Sequence, residues 1–338
     1  MSGNNDKKNI YQAIRIISSI GLIAIILFKT NFHSLSMVLK SVDPFYLLLA
    51  MLFMFCEILL MSVRMHYLLK IKSMKVPFLV LIKFNMMGSF VGNFLPTKLG
   101  VDGLRTYYLA KYTKQTVHSI SLITFDKFLN IIVVTLFAAL SFIFAGYYNR
   151  FPSFGYIILI MIAGIALVLF LVREKSGTKI KGYLKRKKWS EKIVTFINEF
   201  STSFAQLHYN KCKLSVIFIL GIVFQINRII TTYLFARAAN INVDFMYFFL
   251  IVPIIMILGM LPFSFAGIGI TQFSAVQFFK LVGIQTESSL GFAMLIYFSR
   301  IVIALPGLYF FYKEGMGTLM ESMFKIGKHW KDRKKSDR

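Results

Sequence analysis

The stretch NFLPTKLGVDGLRTYYLAKY, residues 93–112, interrupts apolar sequence with Pro96, Gly100 and Gly103 and with the charges Lys98, Asp102, Arg105 and Lys111. Proline removes a helical hydrogen bond and crowds the preceding turn, and glycine weakens helix formation, so the helical pattern breaks here. In a soluble loop such a break would be ordinary. The sequence on both sides is not that of a soluble protein. Of 338 residues, 57% are hydrophobic and only 16% charged, with 36 phenylalanines, a composition that excludes a water-soluble domain. Apolar runs of about 20 residues, the length that crosses roughly 30 Å of hydrocarbon, recur along the whole chain. This predicts an all-α polytopic membrane protein, and the break at 93–112 then lies at membrane depth.

The first run, Ile10 to Phe28, follows Lys7 and Lys8. It is followed by no small-x-small cleavage site, and further apolar segments come after it, so it reads as a retained span rather than a signal peptide. Cys56 and Cys212 define neither a disulfide framework nor a metal-ligand spacing. The formal charge of +25 could suggest nucleic acid as a partner. The basic residues, however, sit at the ends of apolar runs, where they decide orientation, and no nucleic-acid partner is expected.

Lys/Arg-rich segments belong on the cytoplasmic side. Residues 63–75 hold Arg64, Lys70, Lys72 and Lys75 without an acid, residues 173–213 hold eleven Lys/Arg, and residues 313–338 hold eight. The segments left for the other side, 29–44, 147–152, 237–244 and 280–288, contain only Lys29, Lys40, Arg150, Arg237 and Lys280. Spans near 10–28, 45–62, 118–146, 153–172, 214–239 and 289–312 then alternate in direction. Segments 76–112 and 245–282 must return to the side they started from. The expected architecture is about six spanning helices plus two re-entrant helical hairpins. Between them, Trp189 to Leu207 places Trp189, Ile193, Phe196, Ile197, Phe200 and Phe204 on one helical face. It reads as an interfacial helix on an anionic leaflet, with a solvated basic linker as the alternative.

The second returning segment contains GMLPFSFAGIGITQFSAVQFFK, residues 259–280. Leu95-Pro96 and Leu261-Pro262 match, Gly103 and Gly269 each follow seven residues after the proline, and Gly100 and Gly267 precede them. The first unit starts outside and the second inside, so they are inverted repeats. Interrupted segments at matching places in two inverted halves point to a transporter's binding site, because freed backbone groups must line a cavity. Glycine at 103 and 269 is expected where backbone approaches a neighbour closely or takes positive φ.

Ionisable residues deep in apolar runs are costly and hence functional candidates. They are Glu57, Lys83, Asp126, Lys127, Arg228 and Arg300, joined by Asp102 and Arg105 at the break, with Asn85, Asn93, Asn130, Gln225, Asn227, Gln272 and Gln277 as polar neighbours. Cations outnumber acids five to three, which favours an anionic ligand held by Arg through paired hydrogen bonds and by Lys as a point charge. The alternative is internal pairing, of Asp102 with Arg105 or of Glu57 with a neighbouring cation; Arg300 has no acid near it in sequence. Lys83 would snorkel if its hairpin is shallow. His33, His66, His118, His208 and His329 are scattered, no metal cluster, Gly-rich phosphate loop or catalytic triad can be placed, and no enzyme activity, metal or cofactor is expected.

The block at Asn93, Leu95, Pro96, Gly100, Asp102, Gly103, Leu104 and Arg105 resembles the lysylphosphatidylglycerol synthase transmembrane-region family of flippase-like membrane proteins. Asp126-Lys127 stands where that family usually has an acid followed by Arg, and Pro262, Gly267, Gly269, Arg300 and Pro306-Gly307 follow its later order. The likeness spans roughly residues 10–315. Lys127 in place of Arg weakens bidentate binding there, and Gln272 stands where many members have Glu. The resemblance implies a lipid translocase for an anionic phospholipid or a polyprenyl-phosphate-linked lipid, without the aminoacyl-transferase domain of the best-known relatives. Residues 1–315, with the basic linker 173–212, are the expected transmembrane domain and 316–338 a basic cytoplasmic tail. The expected location is the cell membrane of a prokaryote, both termini cytoplasmic, with membrane lipids and envelope-biosynthesis enzymes as partners. An accessory or catalytic subunit of a lipid-linked glycosyltransferase, or an envelope-enzyme scaffold, is the alternative function.

Orientation is tested by cysteine accessibility. In intact cells, Ser73→Cys and Ser176→Cys should resist membrane-impermeant reagents while Asn149→Cys reacts. Equal labelling of Ser73→Cys and Asn149→Cys would overturn the assignment of sides.

Overall fold

A computed structural model describes residues 36, 40–93, 99–144, 152–172, 211–260, 270–284 and 286–315. The described helices are α1 (Pro44–Ile71), α2 (Phe78–Gly92), α3 (Leu99–Thr113), α4 (Thr116–Phe144), α5 (Pro152–Val172), α6 (Lys211–Ala238), α7 (Phe245–Met260), α8 (Ile270–Lys280) and α9 (Thr286–Phe310), which ends in a π-helical turn, Phe311–Gly315. There is no strand among the described residues. Four helical segments, Pro44–Ile71, Thr116–Ile143, Cys212–Ala238 and Gly291–Lys313, are long and apolar enough to cross a membrane. The expected span 10–28, the interfacial helix 189–207, the tail beyond 315, and Pro96, Pro262, Gly267 and Gly269 lie outside the described residues.

The two halves share one register. The interval from Pro44 to Lys211 equals those from Ile71 to Ala238 and from Phe78 to Phe245, so α6 and the start of α7 repeat α1 and the start of α2. The stop signals repeat with them. At the end of α1 the amides of Ser73 and Met74 turn back to the carbonyls of Lys70 and Leu69, with Ser73 at φ 54°. At the end of α6 the amides of Asn240 and Ile241 turn back to Arg237 and Ala236, with Asn240 at φ 56°. Both are left-handed caps that satisfy the last carbonyls. The letters differ; the geometry is the same.

The halves are inverted. Asp43, whose carboxylate caps α1 by accepting from the amides of Phe45 and Tyr46, donates its own amide to the Ala238 carbonyl at the far end of α6. Asn240 reaches the Ser41 carbonyl there, and further along Asn227 Nδ2 donates to the Phe53 carbonyl at 2.9 Å. The repeat-related helices α1 and α6 therefore run antiparallel, which places the pseudo-two-fold axis across them.

Each hairpin returns to the face that it left. Met74 and Val76, before α2, share an apolar cluster with Leu109 near the end of α3, Leu122 of α4 and Ile217 at the start of α6. On the opposite face, Ala50 of α1 and Ala238 and Ile241 of α6 share a cluster with Phe279 of α8, against which Phe245 and Val282 pack. Over the described residues the hairpin helices have 15, 15, 16 and 11 residues, lengths of up to roughly 24 Å at 1.5 Å per residue against a hydrocarbon core of ~30 Å. α5 stands outside the repeat, with Tyr156, Leu159, Ile160 and Leu167 exposed as expected of a lipid-facing helix.

Two expectations are corrected. α1 continues to Ile71, so Arg64 belongs to the helix rather than to a cytoplasmic loop. Gly100 and Gly103 lie within the first turns of α3, and a Cβ on Gly103 would meet nothing within 4 Å. Close backbone approach occurs elsewhere. A Cβ on Gly92 would strike the Val101 side chain across the hairpin, and one on Gly307 would strike the Met86 backbone where α9 crosses α2. Small residues at such crossings let helices pack by direct contact where no hydrophobic effect drives them together.

Gly307→Ala should accordingly lower the thermal unfolding temperature of the purified protein, by the equivalent of ~1–3 kcal/mol of overpacking. Gly103→Ala should leave it unchanged or raise it slightly, as helix propensity favours Ala.

Candidate functional site

A cavity of about 390 Å³ lies between the hairpins, walled by α1, α4, α6 and α9. Each helix presents a stripe at helical spacing: Met54, Glu57, Ile58, Met61 and Arg64 from α1, and Phe224, Arg228, Thr231, Thr232 and Phe235 from α6. The first hairpin contributes Asn93, Val101, Asp102 and Arg105, and α4 contributes Asp126, Lys127 and Asn130. The second hairpin supplies only Val252, Ile255, Met256 and Ala275 among the described residues.

The charges form two groups. In the first, Arg64 Nη2 donates to Asp126 Oδ2 at 3.1 Å, while its Nε lies 2.6 Å from Oδ1 as an ion contact without hydrogen-bond alignment. Arg105 donates to Asp102 Oδ1 at 3.3 Å and approaches Asp126 Oδ2 at 4.0 Å. Lys127 Nζ donates to the other Asp102 oxygen at 2.5 Å. Arg64 and Asp126 are nearly sealed from solvent, with 5% and 4% of their side chains exposed, so each depends on the other for charge compensation. In the second group, Arg228 Nε and Nη2 both donate to Glu57 Oε2, at 3.2 and 3.0 Å, and Nη1 donates to Met256 Sδ at 3.3 Å. Arg300, on α9, is exposed to the cavity and makes no ion pair or hydrogen bond with a described residue.

The two groups meet at one aromatic ring. The guanidinium carbons of Arg64 and Arg228 lie 5.3 and 4.5 Å from the centroid of Phe224, which is buried on α6. A ring face attracts a cation most strongly where water is excluded. Phe224 thus supports two cations where the antiparallel helices cross.

Of the residues expected from sequence, the structure gathers Glu57, Asn93, Asp102, Arg105, Asp126, Lys127, Arg228 and Arg300 around one space. Asn130 joins them, whereas Asn85 is spent on Ser62 at 2.6 Å and Asn227 on the Phe53 carbonyl. Gln225 is wholly buried outside the lining, Gln277 is exposed, and the Gln272 side chain lies outside the described residues. Lys83 is not in the lining; its ammonium lies 5.6 Å from the Phe310 ring centroid. Arg64 joins the lining instead, so among the described residues the cavity still holds five cations and three carboxylates. The signal for Arg64 was present: it follows Glu57 by two helical turns on the same face, with Met65, Leu68 and Leu69 continuing the apolar pattern after it.

Fold and site together define a multi-pass integral membrane protein with a charged cavity between inverted, hairpin-bearing halves. Residues 12–307 match the family described as lysylphosphatidylglycerol synthase TM region, and the chain belongs to that family. It is also 23% identical over 304 residues to the UPF0104 membrane protein PH1989 of Pyrococcus horikoshii, covering 83% of this chain and 90% of that protein.

Arg64→Gln leaves Asp126 buried with only the distant Arg105 guanidinium, and should cost ~3–5 kcal/mol of stability. The double variant Arg64→Gln/Asp126→Asn should recover much of that loss in thermal unfolding. A neutral single variant would mean that water reaches the pair.

Proposed function

We propose that the protein is a lipid translocase that moves an anionic phospholipid or a polyprenyl-phosphate-linked lipid across the membrane, binding the headgroup in this cavity. The observation that carries the reading is the cation surplus, among the described residues, in a cavity bounded by two hairpins entering from opposite faces, with Arg300 making no ion pair or hydrogen bond with a described residue. An uncompensated charge at membrane depth is costly unless something occupies it, and an anionic headgroup would. The hairpins supply the two sides that alternating access requires, since rocking one repeat against the other would open the same site to either leaflet.

Arg300 is the first headgroup ligand in this scheme. Its guanidinium stays charged at cellular pH and offers two parallel donors to a phosphate. Arg105 and Lys127 share Asp102 at rest and come second.

In proteoliposomes, Arg300→Gln should slow translocation of a fluorescent anionic lipid by roughly ten- to a hundredfold, the worth of one charge-assisted hydrogen-bonded contact. Arg300→Lys should restore part. Wild-type rates in Arg300→Gln, or no translocation by the native protein, would remove the reading. If Arg105→Gln is inactive but Arg105→Gln/Asp102→Asn is active, Arg105 serves as an internal ion pair rather than as a ligand.

A further inference from the structure

Resting on the reading of the cavity as a headgroup site, we infer that it selects a headgroup with two negative charges, a terminal phosphate monoester or a diphosphate. Singly charged, zwitterionic and cationic headgroups are discriminated against. The inference comes from the charges that face the space. From α1 they are Glu57 and Arg64, from α3 Asp102 and Arg105, from α4 Asp126 and Lys127, from α6 Arg228, and from α9 Arg300 with the neutral phenol of Tyr297. The described lining from α2, α7 and α8 adds no charge, and no histidine lines the cavity among the described residues. Among the described residues, five cations against three carboxylates leave a surplus of two.

The surplus is divided evenly. Arg64, Arg105 and Lys127 share two carboxylates, leaving one positive charge in that group; Arg228 and Arg300 face Glu57 alone, leaving one in the other. Phe224 lies against a guanidinium of each group, so both surplus charges border the same space. A monoanion would neutralise one group and leave the other unbalanced in a low-dielectric setting, where a bare charge is expensive. A zwitterion would neutralise neither. An aminoacylated phospholipid, with its added ammonium, would bring a further positive charge against the surplus.

Competition binding on the purified full-length protein in nanodiscs tests this, with a fluorescent short-chain phosphatidylglycerol as reporter. The competitors are phosphatidic acid, farnesyl diphosphate, phosphatidylglycerol, phosphatidylcholine, lysyl-phosphatidylglycerol and inorganic phosphate. Measurements at about pH 5 and about pH 9 bracket the second ionisation of a phosphate monoester, near pH ~6 for phosphorylated side chains. Phosphatidic acid should bind roughly tenfold tighter or more at the higher pH, because its second charge meets a cation. Phosphatidylglycerol, a diester with one charge throughout, should change little. Protonating a lining carboxylate at low pH would strengthen anion binding, the opposite sign, so it cannot imitate the effect.

Farnesyl diphosphate should outcompete phosphatidylglycerol at both pH values. Arg300→Gln, which removes one surplus charge, should weaken both lipids but phosphatidic acid by the larger factor at the higher pH, so that most of its preference over phosphatidylglycerol is erased. Equal affinities for phosphatidic acid and phosphatidylglycerol at high pH would overturn the two-charge inference and leave the translocase reading standing. Inorganic phosphate competing as well as the lipids would keep the two-charge site but take away the lipid. Equal competition by phosphatidylcholine or lysyl-phosphatidylglycerol would overturn both.

Discussion

The antiparallel crossing of α1 and α6 is the constraint on which the rest of the molecule depends. Asp43 meets Ala238 at one end and Asn227 meets Phe53 further in. Near the middle, Glu57 holds Arg228 and the Phe224 ring supports both Arg64 and Arg228. Guanidiniums this deep carry a desolvation penalty of several kcal/mol each, which geometry and partners must offset. The crossing supplies both, by placing carboxylates and a ring face within reach from different helices. Four more elements then have to be arranged around it: α4 brings Asp126 and Lys127 and α9 brings Arg300, while the two hairpins, the first carrying Asp102 and Arg105, close the space from opposite faces.

Symmetry governs the backbone but not the chemistry. The caps at Ser73 and Asn240, the equal intervals of the helix starts, and the mirrored apolar clusters all follow one inverted plan. The side chains do not. The first hairpin brings Asp102 and Arg105 to the cavity and is tied to α4 through Lys127, whereas the second presents only apolar side chains among its described residues. Among the described residues the cavity is therefore charged towards one hairpin and apolar towards the other. An amphiphile would feel a direction in such a space even though the fold around it is nearly two-fold.

How far this was legible in the chain differs from element to element. The hairpins were readable because Leu95-Pro96 and Leu261-Pro262 interrupt otherwise apolar runs at matching spacing, and backbone freed at membrane depth has few places to go. The partition of the faces was readable because Lys and Arg are unevenly distributed: segments 40–44, 237–244 and 280–284, assigned to one side by charge, do come together in space. Arg64 was hidden by the same rule. Lying just before Lys70, Lys72 and Lys75, it was counted with them, although only helical phase separates a buried cation from a flanking one. Gly103 was misjudged for a related reason. A glycine seven residues after a proline at matching places in both halves reads as part of the break, but the close approaches fell at Gly92 and Gly307, where the partner lies on another helix.

The cap register was illegible for a simpler reason: a left-handed cap needs a backbone conformation, and Ser73 and Asn240 meet it with different side chains. Charge placement was the reverse, since it survives as letters even when positions shift. Exchanging Lys83 for Arg64 altered which residue lines the site but not the balance, among the described residues, of five cations against three carboxylates. That balance matters more than any single assignment. Coulomb interactions in a poorly screened cavity reach across it, so the field that a ligand meets is set by the sum of the lining charges, and the detailed pairing decides only which cations are free to move toward it.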